Sequence, residues 1–168
     1  MTQVTYENIF SEARANVVAL ITNSNVPDPT ISTAEFRKWI YSSEPNVKSS
    51  DFKGYPCLVV NHADVDIGEE GSVDGKSKLV EWSIEIEIIT SDRGYGDKAG
   101  NGAADMDTIS NNVMKTFTNI TNRNTLSNQS MKFSRPTTTA VGTEVIKDEK
   151  VFRRSILLPF KSRIQVSA

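Results

Sequence analysis

From Val80 to Ile88 the side chains alternate strictly: Val80, Trp82, Ile84, Ile86 and Ile88 are apolar, and Glu81, Ser83, Glu85 and Glu87 between them are polar. A repeat of two matches the pleat of a strand and no helix, so residues 78–90 are predicted to form a β-strand with one apolar and one acidic face. Sliding such a strand by one residue would turn every isoleucine into water, so its pairing register is strongly specified. Ile and Trp favour extended backbone, and the three glutamates require water or a cationic partner. The rest of the chain must supply a cover for the apolar face and neighbouring strands.

Two stretches have the helical spacing to provide that cover. Residues 6–22 place Ile9, Ala13, Val17, Leu20 and Ile21 three and four apart, with Thr5 as N-cap and Glu7 near the positive end of the helix dipole. Residues 104–120 do the same with Met106, Ile109, Val113, Phe117 and Ile120. Pro27 and Pro29 end the first helix. Ser32-Thr33-Ala34-Glu35 has the form of a capping box and predicts a short helix over 33–41, docked by Phe36, Trp39 and Ile40.

Tyr55-Pro56-Cys57-Leu58-Val59-Val60-Asn61 reads as a first strand with proline at its start, and 64–76 as an acidic loop leading into the alternating strand. After 91–102, a glycine-rich link, and the second helix, Thr121 to Ser130 reads as a polar connection. Met131 to Arg135 and Thr137 to Ile146 read as extended pieces, and Lys147 to Lys150 as a turn. A last strand, Val151 to Val166, carries Phe152, Ile156, Leu158, Phe160, Ile164 and Val166 on even positions, with Arg154 and Ser162 as exceptions. Pro159 in its middle predicts an edge or a bulge. The expected fold is α+β in one domain over 1–168: a mostly antiparallel sheet built from two hairpins, packed by two main helices plus one short helix.

A chain of 168 residues is long enough to bury roughly 70% of its unfolded surface without staples. Its single Cys57 excludes an internal disulfide and a Cys-rich zinc site, and the absence of an N-terminal apolar run leads us to expect a soluble protein made in a cytoplasm. A net charge of −2 argues against dedicated nucleic-acid binding. The charge is uneven: Asp64 to Asp74 holds five acidic residues and no basic one, whereas Lys147 to Arg163 holds six basic and two acidic. Unlike patches on one chain suit either two solvated surfaces or a head-to-tail contact between copies.

Catalytic patterns are missing. The glycines of 91–102 are spaced G-x-G-x-x-x-G, not as a dinucleotide fingerprint, and no G-K-[ST] follows. His62, Asp64 and Asp66 would share one face of a regular strand and could hold a hard cation, but no second ligand cluster completes the set. Cys57 has only His62 as a candidate base, five residues away and on the other face, so it reads as a small core residue.

The element order, with Tyr55-Pro56-Cys57-Leu58-Val59-Val60 followed by Val80-Glu81-Trp82-Ser83-Ile84-Glu85-Ile86-Glu87-Ile88, resembles the tail-terminator (tail-completion) proteins of tailed phages. The resemblance implies a structural, non-enzymatic subunit with no cofactor, located in the virion tail or neck after assembly in the host cytoplasm. Its partners would be copies of itself, usually in a hexameric ring, the tail tube protein, and a head connector, with DNA passing unbound and no membrane involved. On this reading Glu69, Glu70 and Asp74 of one subunit would face Lys150, Arg153 or Arg154 of the next, and Glu81, Glu85 and Glu87 would line the lumen. A head-closure adaptor, and a small metal- or ligand-binding module using His62, Asp64 and Asp66, stand as alternatives.

Overall fold

A computed structural model describes residues 9–22, 24–30, 37–71, 77–93, 101–127 and 131–165, with backbone only for 64–71, 77 and 165. Three helices, α1 (Ile9–Leu20), α2 (Gly102–Thr118) and α3 (Ile120–Leu126), accompany seven strands: β1 (Ile40–Tyr41), β2 (Cys57–Gly71), β3 (Ser77–Ser91), β4 (Met131–Phe133), β5 (Thr137–Thr138), β6 (Gly142–Ile146) and β7 (Glu149–Gln165). They form one sheet in the order β1-β2-β3-β7-β4, with β5 and β6 also paired to β7. Every pairing is antiparallel except β1 with β2. The α+β architecture with two hairpins, β2–β3 and β6–β7, is therefore as predicted.

The β3–β7 ladder runs from Ser77↔Gln165 to Ser91↔Val151 without a register shift. Both strands therefore keep period two along their paired length, and their even residues gather on one face. Val80, Trp82, Ile84, Ile86 and Ile88 of β3 and Phe152, Ile156, Leu158, Phe160 and Ile164 of β7 are buried there. Ile9, Ala13 and Val17 of α1, Met106, Ile109, Val113 and Phe117 of α2, and Leu126 of α3 pack against them in the main core. Each Val, Leu, Ile, Phe or Met among them contributes roughly 1.5–3 kcal/mol when fully buried. A line of aromatic contacts crosses this face from helix to helix. Phe10 meets Trp82 edge-on at 5.6 Å, Trp82 stacks on Phe160 at 5.6 Å, and Phe133 bridges Phe160 to Phe117.

Pro159 is neither at a bulge nor on an outer strand. It pairs in register with Ser83, and on its other side β4 ends at Phe133, opposite Phe160, while β5 begins at Thr137, opposite Leu157. The Pro159 carbonyl accepts from the Ser134 N–H at 3.0 Å, so the missing proline N–H also faces that gap and not β3. The ladder to β3 loses nothing.

Three sequence expectations are corrected. Residues 64–71 are not loop: β2 continues through Gly71, with register shifts between Ala63 and Val65 and between Ile67 and Gly71, so only 72–76 separate it from β3. Bulges absorb the irregular pattern that had suggested a loop. Residues 40–41 are strand, not helix, within the described part of the predicted 33–41 helix. Trp39 and Ile40 still dock in the core, but the backbone bonds to β2, with the Leu58 N–H donating to the Trp39 carbonyl at 2.7 Å. The short helix is instead α3, inside the expected polar connection. Asn119 breaks α2 with extended backbone and its side chain accepts from the N–H groups of Thr121 and Asn122, capping α3. Thr5, Glu7, the Ser32–Glu35 capping box, Phe36, Asp74 and Val166 lie outside the described residues. Among those described, no helix is long and apolar enough to cross a membrane.

A buried ion pair fastens the segment between α1 and β2. Arg37 Nε lies 2.6 Å from Asp28 Oδ2, the two side chains 3% and 0% exposed, and the Arg37 guanidinium also donates to the carbonyls of Gly54 and Pro56. Thr30 donates to Asp28 Oδ1 through both its N–H and hydroxyl. Removing one member of such a pair strands the other charge in a dry site. Asp28→Ala is expected to cost about 3–5 kcal/mol in urea unfolding, and Asp28→Ala with Arg37→Met less than the sum of the single variants.

Candidate functional site

The three helices pack on the even face of the sheet, so its odd face is where the chain can meet something else. One end of that face is closed by its own second cluster, in which Tyr41, Tyr55, Cys57, Val59, Ile89 and Val151 are buried with Phe52 against them. Burial pushes the Cys57 thiol up to about 12, which fits a core residue and not a nucleophile. Beyond this cap no helix among the described residues covers the face. Glu81 and Lys161, opposite each other in register, are exposed, and Asn61, Ser83, Glu85, Leu157 and Pro159 are half-covered.

Arg153 lies where cap and open face meet. Its Nη2 contacts Glu44 at 2.7 Å, its Nη1 Glu87 at 2.9 Å and its Nε Glu144 at 2.6 Å. One guanidinium thus joins the 42–56 segment, β3 and β6, using its planar fork of donors on three carboxylates. Partial burial alone would lower its pKa; the hydrogen bonds to Glu44, Glu87 and Glu144 outweigh that and raise it. Ser155 donates its hydroxyl to Glu85 at 2.5 Å. Of the three strand glutamates, Glu87 and Glu85 therefore have partners within the chain, and Glu81 is the exposed one.

The proposed contact residues are dispersed by the same period of two. Arg153 and Arg154 are sequence neighbours on opposite faces of β7, and Arg154 Nε is buried on the helix side with no hydrogen-bond partner among the described residues. Lys150 is exposed, its ammonium 5.0 Å above the Phe152 ring. Glu69 and Glu70 belong to the distal half of β2, their side chains outside the described set, as is Asp74 altogether. The structure groups Arg153 with its own chain's glutamates, which sequence reading missed because Glu44 lies 109 residues away.

His62 does not share a regular strand with Asp64 and Asp66. The register shift between Ala63 and Val65 interrupts the alternation that would align the three positions. The imidazole instead faces α1, edge-on to Phe10 at 6.1 Å, near Arg14, whose Nε donates to the Val60 carbonyl at 2.9 Å. Among the described residues, no three His, Cys, Asp or Glu side chains gather as a metal site would require. The last glycine of the glycine-rich link has a packing role: a Cβ on Gly102 would fall 2.5 Å from Phe152 Cε2, and the Gly102 carbonyl accepts from the Thr90 hydroxyl at 2.6 Å. Gly94, Gly96 and Gly100 lie outside the described residues. No protein-family model matches the chain, and neither does any curated protein sequence.

Replacing Arg153 leaves three carboxylates clustered without a cation. Arg153→Met is expected to destabilise by about 1–3 kcal/mol at pH 7, as read from urea unfolding. His62 gives a pH signature. Desolvation first, then the Arg14 charge, lowers its pKa, so between its ordinary pKa and the folded value the unfolded chain binds more protons. Stability should be complete above the ordinary value near 6.5 and decline slightly as pH falls through the folded one, a decline absent from His62→Gln in thermal unfolding.

Proposed function

We propose that this chain is a structural ring subunit of the phage tail-terminator kind, non-enzymatic, which caps a tail tube, stops its growth and offers a surface to a head connector. The observation that carries this reading is the one-sidedness of the fold. Among the described residues all helices lie against one face of the sheet, while on the other face, beyond the Arg153 cluster, Glu81 is exposed and Ser83, Glu85 and Leu157 are half-covered. A ring needs an inward wall and two unlike flanks, and a sheet covered on one side provides the wall. The exposed Glu81 carboxylate, repeated around a ring, would let DNA pass without adhering. Glu81, which is exposed, suits this role better than Glu85, whose carboxylate accepts from Ser155, or Glu87, whose charge is met by Arg153.

The acidic distal half of β2 and the lysines near the start of β7 supply the unlike flanks. Because Arg153 serves its own chain, Lys150, with Lys147 beside it, is the better cation for a subunit contact. Native mass spectrometry and negative-stain images of the purified chain test the proposal. A closed ring, expected to be a hexamer with a central opening, supports it. A monomer at all concentrations, or a closed two-fold dimer without a lumen, overturns it.

A further inference from the structure

The arm made by β6 and the start of β7 has little cover among the described residues. All five β6 residues are exposed, Val145 at 72% and Ile146 at 37%. The arm turns through two residues, Lys147 and Asp148, both with positive φ, so Ile146 and Glu149 form the hydrogen-bonded pair next to the turn. Antiparallel alternation then leaves the N–H and C=O groups of Val145 and Thr143 facing away from β7. Among the described residues no strand pairs with that side.

Natural sheets blunt an open edge with charge, proline or a bulge, and β6 does none of these. Its one charged side chain, Glu144, is held by Arg153, and its register with β7 is unbroken. The opposite edge of the sheet is different. β1 reaches only Val59, so among the described residues β2 has a free outer side from Asn61 to Gly71. That stretch carries Asp64, Asp66, Glu69 and Glu70, no lysine or arginine, and two register shifts. Two copies of this acidic edge repel each other, whereas a strand whose one carboxylate is already met by Arg153 and which is flanked by the exposed Lys147 and Lys150 is attracted to it.

We propose that β6 of one copy adds, as an extra strand, to the free edge of β2 in a second copy, continuing the sheet across the contact. The inference rests on the ring reading, because a contact between two different edges is heterologous and propagates from copy to copy. Val145→Pro tests it directly: it deletes the outward N–H and spares the bonds to β7. By light scattering across a concentration series, the assembly midpoint of Val145→Pro should rise at least about tenfold, with circular dichroism and thermal midpoint unchanged. Lys147→Glu with Lys150→Glu should weaken assembly more at low salt than at high. Mixing Val145→Cys and Ala63→Cys chains with a short bismaleimide should link the two different variants to each other. Rings of Val145→Pro that form as readily as the parent, or cross-links confined to Val145→Cys with itself, overturn strand addition and leave the ring reading standing; a parent chain that never assembles overturns both.

Discussion

The unshifted ladder between β3 and β7 is the constraint on which the remaining structure depends. Fifteen residues of each strand are held in one register, so the assignment of faces made at Trp82 and Phe160 is carried unchanged to Ile88 and Phe152. A slip of one residue in either strand would oppose isoleucines to glutamates along the sheet. Each neighbour joins this pair by a looser rule. β2 follows β3 with two bulges, while β4, β5 and β6 divide the outer side of β7 into short lengths. The helices need no strict partner beyond the apolar surface that the ladder presents, and the aromatic line from Phe10 to Phe117 fits them to it.

What could be read from the sequence is what periodicity carries. β3, β7, α1 and α2 have apolar residues at regular spacing over nine or more positions, and each was found within a few residues of its predicted bounds. Where the pattern is short or interrupted, the reading failed for identifiable reasons. The distal half of β2 is acidic, glycine-containing and bulged, and a bulge erases alternation even when the backbone stays in a sheet. β1 is two residues long, too short for alternation to show even though Ile40 and Tyr41 favour extended backbone. α3 buries only Leu126 and depends on the Asn119 cap, so no apolar stripe announced it.

The polar contacts were harder still to foresee. Asp28 sits between two prolines in a segment read only as the end of the first helix, yet its carboxylate is wholly buried against Arg37. Arg153 had been assigned with Arg154 to a subunit contact; the pleat separates them, and tertiary proximity brings Glu44, Glu87 and Glu144 to Arg153 alone. Charge counts along a chain locate an excess of one sign, and only the fold decides which charges are consumed within the subunit. The excess left over is then smaller and more localised than the sequence implies, and it is this remainder that can select a partner.

Pro159 makes the outer side of β7 discontinuous, and this bears on how the molecule can move. A strand bordered by one uninterrupted neighbour opens along its whole length or not at all. Here the break opposite Pro159 separates β4, fastened near Phe160 and the aromatic line, from β5 and β6, which are mostly exposed. Backbone bonds in the two pieces are expected to open in different cooperative units. The β6 arm can therefore open, exchange its amides or change partner at a free-energy cost well below that of global unfolding, while β4 and the core beneath it stay closed.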